Sequence, residues 1–154
     1  MRRLTVNEKR MFAIFMRQFR FCWACGYGKR NEPPMLVVDE DGVEYYRTLQ
    51  NHHIVGGAGR VHCRENLARL CSLCHDLYHG ARVAHNKGYL PRLQFNHVLW
   101  LKETIDPIFY DRKRLAVMSS FRIPTAVTIP SWYRRTFIRN RGKMHNEIFT
   151  SSGD

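Results

Sequence analysis

Four cysteines in two Cys-x-x-Cys pairs are the first residues of this sequence with an evident chemistry. Cys22 is paired by spacing with Cys25, and Cys71 with Cys74. Four thiolates are the number that a closed tetrahedral zinc site needs, and such a site has no open position for substrate or water. The spacing therefore predicts a structural Zn²⁺ that joins the N-terminal part of the chain to a central segment. Cys63 is left over.

A second group of residues combines histidines with one asparagine. His52 and His53 are adjacent, Asn66 follows them, and His75 and His79 have the spacing of one helical turn. If residues 52 and 53 lie on a strand, their side chains point to opposite faces. One imidazole can then bind a divalent cation while its neighbour takes a proton from water, because histidine suits both roles near neutral pH.

Two plainer interpretations of these residues remain open. The second cysteine pair and the two later histidines can form a local Cys₂His₂ zinc site, which would leave Cys22 and Cys25 unpaired. His52 and His53 can also be ordinary polar residues of a strand. The other histidines match no catalytic pattern, and His62 is the only one of them close in sequence to this group.

The pattern of apolar residues predicts the elements that hold these groups. A helix over 7–19 carries an aromatic stripe, and Thr5 with Glu8 resembles a capping box at its start. Residues 35–49 are predicted to form a hairpin whose returning strand runs on through 51–55, where a glycine cluster ends it.

The second half of the chain is predicted to be mostly helical. A short returning segment leads into the second cysteine pair. Three helices are expected, one from about residue 72 that carries His75 and His79, and two over about 92–104 and 111–118. The periodicity fades beyond Ser119. We therefore divide the chain into a domain over 1–118 and a basic C-terminal extension over 119–154.

The charge of the chain favours a polyanionic partner. Its 25 Lys and Arg outnumber its 13 Asp and Glu, which gives a net charge of +12 and a pI near 10.0. A basic protein kept soluble by its charge is the alternative. No apolar run approaches the roughly 18 residues of a membrane-spanning helix, so no membrane partner is expected. An odd cysteine count without a secretory signal favours a reducing, cytoplasmic location.

Taken in order and spacing, these elements resemble the HNH endonucleases, whose active site is the ββα-metal, or His-Me, finger. The resemblance covers residues 22–80 and rests on the run at 52–54, the glycine-rich loop, Asn66 with Leu67, and the run at 70–75. The cysteine pairs are similar to those of the zinc-stabilised branch of the family. The resemblance implies an α+β fold, with a ββα-metal finger and a Cys₄ zinc site between an amphipathic helix and later helices.

The resemblance also implies a role for each residue of the second group. His53 would be the general base that activates water, and His52 and His75 would be ligands of a catalytic divalent cation. Asn66 would hold the loop that follows the base and orient the His53 ring, and His79 would be a third ligand. A histidine-rich site favours Mn²⁺, Ni²⁺, Co²⁺ or Zn²⁺, while Mg²⁺ is compatible if substrate phosphate and waters complete its shell.

The function implied is hydrolysis of DNA by an enzyme of the kind found in phages and mobile elements, in the cytoplasm of a bacterial or phage-infected cell. Nicking of one strand and cleavage by a dimer both fit one active site per chain. Phosphate contacts are expected from arginines beside the motif and in the extension, namely Arg60, Arg64, Arg69, Arg134 and Arg135. The rival hypotheses are a non-catalytic, zinc-stabilised nucleic-acid-binding module and a ribonuclease of the same fold. A binding module has no need of His53.

Overall fold

The computed structural model describes residues 2–29, 36–38, 42, 44–57, 60–82, 84–85, 88–89 and 92–119. Helices and short strands are mixed along this part of the chain, so the fold is α+β as expected. The helices are α1 (Val6–Gln18), α2 (Ser72–Tyr78), α3 (Phe95–Ile105) and α4 (Arg112–Met118). The strands are β1 (Leu36–Val38), β2 (Glu44–Tyr46), β3 (Leu49–His53), β4 (Leu67–Cys71), β5 (Ala84–His85) and β6 (Gly88–Tyr89). The basic extension, with Arg134 and Arg135, lies outside the described residues apart from Ser119.

The central hairpin is formed by β3 and β4. The two strands pair antiparallel, from Leu49 opposite Cys71 to His53 opposite Leu67. All five residues of β4 are buried, and α2 begins directly after it. The order strand, strand, helix therefore connects the segment that bears the first two histidines with the segment that bears the last two.

The predicted hairpin over 35–49 is confirmed by the antiparallel pairing of β1 with β2. The expectation that its returning strand runs on into β3 is wrong, because a gap of two residues separates them. Thr48 N donates to Ser72 Oγ (3.0 Å), and Ser72 N donates to the Thr48 carbonyl (2.7 Å). At the same point the Arg47 side chain turns inward and is 3% exposed. The backbone here is tied to the start of α2 instead of continuing one strand.

The first predicted helix is confirmed as α1, including its capping box. Glu8 N donates to Thr5 Oγ1 (3.1 Å), and Thr5 N donates to the Glu8 carboxylate (2.8 Å). Its aromatic stripe is core, as the helical spacing predicted. Phe15 is fully buried, and the rings of Phe19 and Trp23 meet edge to face with centroids 5.0 Å apart. This packing places α1 against the turn that carries the first cysteine pair.

A buried ion pair holds α3 against the segment that leads into β4. Lys102 Nζ donates to Asp106 Oδ2 (2.9 Å) and to the carbonyl of Arg64 (2.7 Å). The helix begins at Phe95, about three residues later than predicted, and it ends at Ile105, one residue beyond the predicted end. None of the described helices is long and apolar enough to cross a membrane.

Candidate metal centres

The four cysteines of the two pairs lie together in the core. The first pair is on the turn after α1, while Cys71 ends β4 and Cys74 is in the first turn of α2. All four are buried, and their sulfur atoms lie within 4.8 Å of one another. This arrangement can hold a structural Zn²⁺ with four thiolate ligands. It favours the Cys₄ site over the local Cys₂His₂ alternative, because the first pair has its partners here.

A buried arginine lies against the cysteine cluster. Arg47 Nη2 is 2.6 Å from Cys25 Sγ, and its Nε is 3.2 Å from Cys71 Sγ. Four thiolates around one Zn²⁺ carry a net charge of about −2, which one guanidinium reduces by half. A buried cation needs such a counter-charge, because removing it from water costs several kcal/mol. The donor set and the buried arginine therefore both fit a thiolate-bound zinc ion. The spacing of the cysteines gave no indication of Arg47.

Three histidines form a second cluster, and one of them, His75, follows Cys74 in the sequence. His52 on β3, His75 on α2 and His79 at the end of α2 each offer a ring nitrogen, and these atoms lie within 4.8 Å of one another. The Nε2 atoms of His75 and His79 are 3.2 Å apart. His52 is only 4% exposed, and its Nε2 has no hydrogen-bond partner among the described residues. An unpartnered buried nitrogen facing two further imidazoles fits a site for a divalent cation.

The environment favours the neutral form of His52 and His75, which is the form that binds metals. Burial lowers the pKa of His52 to about 3, and the neighbouring charges of His75 and His79 lower it further. Burial also lowers the pKa of His75, with a further contribution from His79. Near pH 7 each of these two rings therefore has one nitrogen whose lone pair can bind a cation.

His53, the neighbour of His52 on β3, has different surroundings. Its Nε2 is 3.0 Å from His62 Nδ1, and the ring of Phe12 on α1 packs edge-on against both imidazoles. Burial lowers the pKa of His53 to about 4, followed by the charges of Arg60 and His62. The two adjacent histidines thus have separate partners, as alternation along a strand predicted. His62 is a candidate site residue that the sequence patterns did not single out.

Asn66 closes the loop between β3 and β4. The side chain is fully buried; Oδ1 accepts from Val55 N (2.8 Å), and Nδ2 donates to the carbonyls of Val55 (3.0 Å) and Val61 (3.0 Å). These bonds hold the loop that follows His53, which is one of the two roles expected of Asn66. The second expected role is the orientation of the His53 ring. The hydrogen bonds of the Asn66 side chain go to backbone atoms, and the His53 ring contacts His62 instead.

Two of the arginines expected to contact DNA make hydrogen bonds to groups within the protein. Arg64 Nη2 donates to Asp106 Oδ1 at 3.1 Å. Arg69 is 6% exposed, and it donates from Nε to the Phe19 carbonyl (3.0 Å) and from Nη1 to Asn51 Oδ1 (2.8 Å). Their guanidinium groups stabilise the fold, since buried charges need internal partners. Arg60 is exposed.

Comparison with protein-family models, curated proteins and solved structures gave no match to this chain. The two clusters are therefore interpreted from their own geometry and from the residues around them.

Replacing one cysteine of the cluster should remove zinc and unfold the domain. We expect Cys22→Ser to lose the Zn²⁺ of the cysteine cluster and its cooperative thermal unfolding, because zinc bound to four thiolates contributes folding free energy directly. Metal analysis of the purified protein and circular dichroism on heating measure both effects. Cys63→Ser is the matched control, since Cys63 lies outside the cluster. A folded Cys22→Ser protein that keeps its zinc would instead support the local Cys₂His₂ site.

Replacing Arg47 should weaken zinc binding while leaving all four ligands in place. We expect Arg47→Met to lower the zinc affinity about 10- to 100-fold, because outer-shell partners of ligands have effects of this size. Competition with a chromophoric chelator measures the affinity. Arg47→Lys keeps the charge and should recover part of the loss. Equal affinities for wild type and Arg47→Met would show that the charge of the zinc cluster is balanced elsewhere.

Proposed function

We propose that this chain is a metal-dependent DNA endonuclease of the HNH type, with the histidine cluster as its active centre and the cysteine cluster as its structural zinc site. One observation carries the proposal: His52, His75 and His79 converge, while His53 on the same strand is held apart from them by other partners. The order β3, β4, α2 around these residues is the order of a ββα-metal finger. A nucleic-acid-binding module needs neither a catalytic cation site nor a general base, so it gives no reason for the different surroundings of the two adjacent histidines.

The three histidines would hold the catalytic divalent cation through neutral ring nitrogens. Three protein ligands leave coordination positions open, which is typical of catalytic sites rather than structural ones. A bound cation would stabilise charge on the phosphoryl oxygens and on the departing alkoxide. Imidazole ligands favour Mn²⁺, Ni²⁺, Co²⁺ or Zn²⁺, and Mg²⁺ remains compatible.

His53 would act as the general base. The 3.0 Å contact between His53 Nε2 and His62 Nδ1 allows His53 Nε2–H to donate, and in that tautomer Nδ1 of His53 carries the free lone pair. That nitrogen can then take a proton from the attacking water while the phosphodiester bond is broken. His62 is a positioning residue in this scheme, because it acts through the orientation of His53. Asn66 supports both residues by holding the loop between them.

DNA would be bound through its phosphates. The net charge of +12 favours association with a polyanion, and contacts of this kind do not select a sequence. Arg60 beside His53 is the exposed cation closest in sequence to the proposed base, and Arg134 and Arg135 of the extension remain proposed contacts. As in the resemblance described above, we place such an enzyme in the cytoplasm of a bacterial or phage-infected cell.

Removing the proposed base should abolish cleavage without abolishing DNA binding. We expect wild type to nick or cut supercoiled plasmid with Mg²⁺, Mn²⁺ or Ni²⁺, and His53→Ala to lower the rate about 10²- to 10⁴-fold, the usual contribution of a general base. His145→Ala is the matched control, because that histidine fits no catalytic pattern. Gel retardation of the same plasmid measures binding. If the wild-type protein leaves the plasmid intact in every metal yet retards its migration on the gel, the hypothesis of a binding module is correct. Cleavage of RNA alone would support the ribonuclease.

Replacing His62 should lower the turnover number more than it changes KM. We expect His62→Leu to slow cleavage at least about tenfold, because a general base whose ring is no longer oriented loses much of its effect. His62→Asn should recover part of the rate, since the amide oxygen can accept the hydrogen bond that Nδ1 accepts. Steady-state kinetics on plasmid separate the two constants. Equal rates for the Leu and Asn variants would remove His62 from the mechanism.

A further inference from the structure

A cavity of about 380 Å³ opens beside the histidine cluster. We call it the Arg92 cavity, and its lining residues are Tyr78, His79, Arg92, Leu93, Gln94 and Phe95. It shares His79 with the proposed cation site and extends from the end of α2 to the start of α3. Its volume is in the range of pockets that bind small ligands. The mechanism proposed above makes no use of it.

A cation lies at the wall of this cavity. Arg92 is exposed, and its guanidinium carbon is 4.0 Å from the point where a Cβ on Gly80 would lie. Gly80 has a φ of +91°, a left-handed conformation that ends α2 directly after His79 and that side chains rarely adopt. The chain reversal at Gly80 therefore brings a positive charge next to a proposed metal ligand. A guanidinium in this position can bind a phosphate through paired N–H donors.

The other walls can receive a planar, largely apolar group. Tyr78 and Phe95 are both partly buried aromatic residues that line the cavity from opposite elements, α2 and α3. Gln94, at the N-cap of α3, is exposed and adds an amide with both a donor and an acceptor. Stacking of a base on an aromatic side chain tolerates any sequence, because every base has a π face. The cavity thus combines a phosphate-binding group with surfaces for a base.

We propose that the Arg92 cavity binds one nucleotide unit that flanks the scissile phosphodiester, with its phosphate on Arg92 and its base against Tyr78 or Phe95. The inference rests on the proposed function, because only a nuclease has a scissile phosphodiester. Binding of the nucleotide unit to the cavity needs no catalysis. Shared use of His79 explains the placement: a strand whose phosphate reaches the histidine cluster carries its neighbouring nucleotide into the cavity. Arg92 is then a substrate-positioning residue.

An NMR titration with the 5′-phosphorylated dinucleotide pTpT tests this proposal, using the full zinc-loaded chain without added catalytic cation. We expect the amide signals of Gly80 and Gln94 to shift in wild type. Arg92→Ala should weaken binding about tenfold, the effect of losing one charge-assisted contact. Lys113→Ala removes one exposed charge from α4, outside the cavity, and should change the affinity less than twofold.

Two further measurements make the outcome decisive. On a DNA duplex, Arg92→Ala should reduce the salt dependence of binding by about one phosphate contact, and Lys113→Ala should not. Inorganic phosphate should bind more weakly than pTpT, because it lacks the base. Equal affinity of both probes, equal binding by wild type and Arg92→Ala, or shifts confined to other signals would each overturn the proposal. Absence of plasmid cleavage with intact pTpT binding would instead count against the endonuclease alone.

Discussion

The meeting of four buried cysteines, with the guanidinium of Arg47 against two of them, is the constraint on which the rest of the structure depends. It ties the turn after α1 to the junction of β4 and α2, which are far apart in the sequence. His75 follows Cys74 directly on α2, so the position of that cysteine also sets where the backbone of His75 lies. The histidine cluster therefore takes its geometry from the cysteine cluster, although the two would hold different ions.

Strand alternation provides the second organising constraint. On β3, His52 turns towards α2 and His53 towards α1 and the following loop, because successive side chains of a strand point to opposite faces. Buried Asn66 closes that loop and so supports the contact between His53 and His62. Two chemical roles can be separated by one peptide unit without any additional element. This separation depends on the register of the two strands, because a shift of one residue between β3 and β4 would exchange the faces of His52 and His53.

The sequence predicted those features that depend on local spacing. Helix positions, the capping box and the grouping of the cysteines follow from periodicity and from ligand counts. Features that depend on distant partners were not predictable. Arg64 and Arg69 look the same in sequence as exposed Arg60, but Arg64 is bound to an acid 42 residues away at Asp106. Arg47 gave no local signal, and His62 offered only its closeness in sequence to the histidine group, since each gains its role from residues that only the fold brings near.

The shortness of α2 has a consequence for how the histidine cluster forms during folding. At seven residues it is well below the length at which an isolated helix persists in water, so tertiary anchoring must supply its stability. Cys74 in its first turn is one such anchor, and the pair of hydrogen bonds between Thr48 and Ser72 is another. Newly synthesised chains thus have no preformed imidazole triad waiting for an ion. Folding of the domain and assembly of the histidine cluster are therefore coupled, and a zinc ion bound by the four cysteines would favour both.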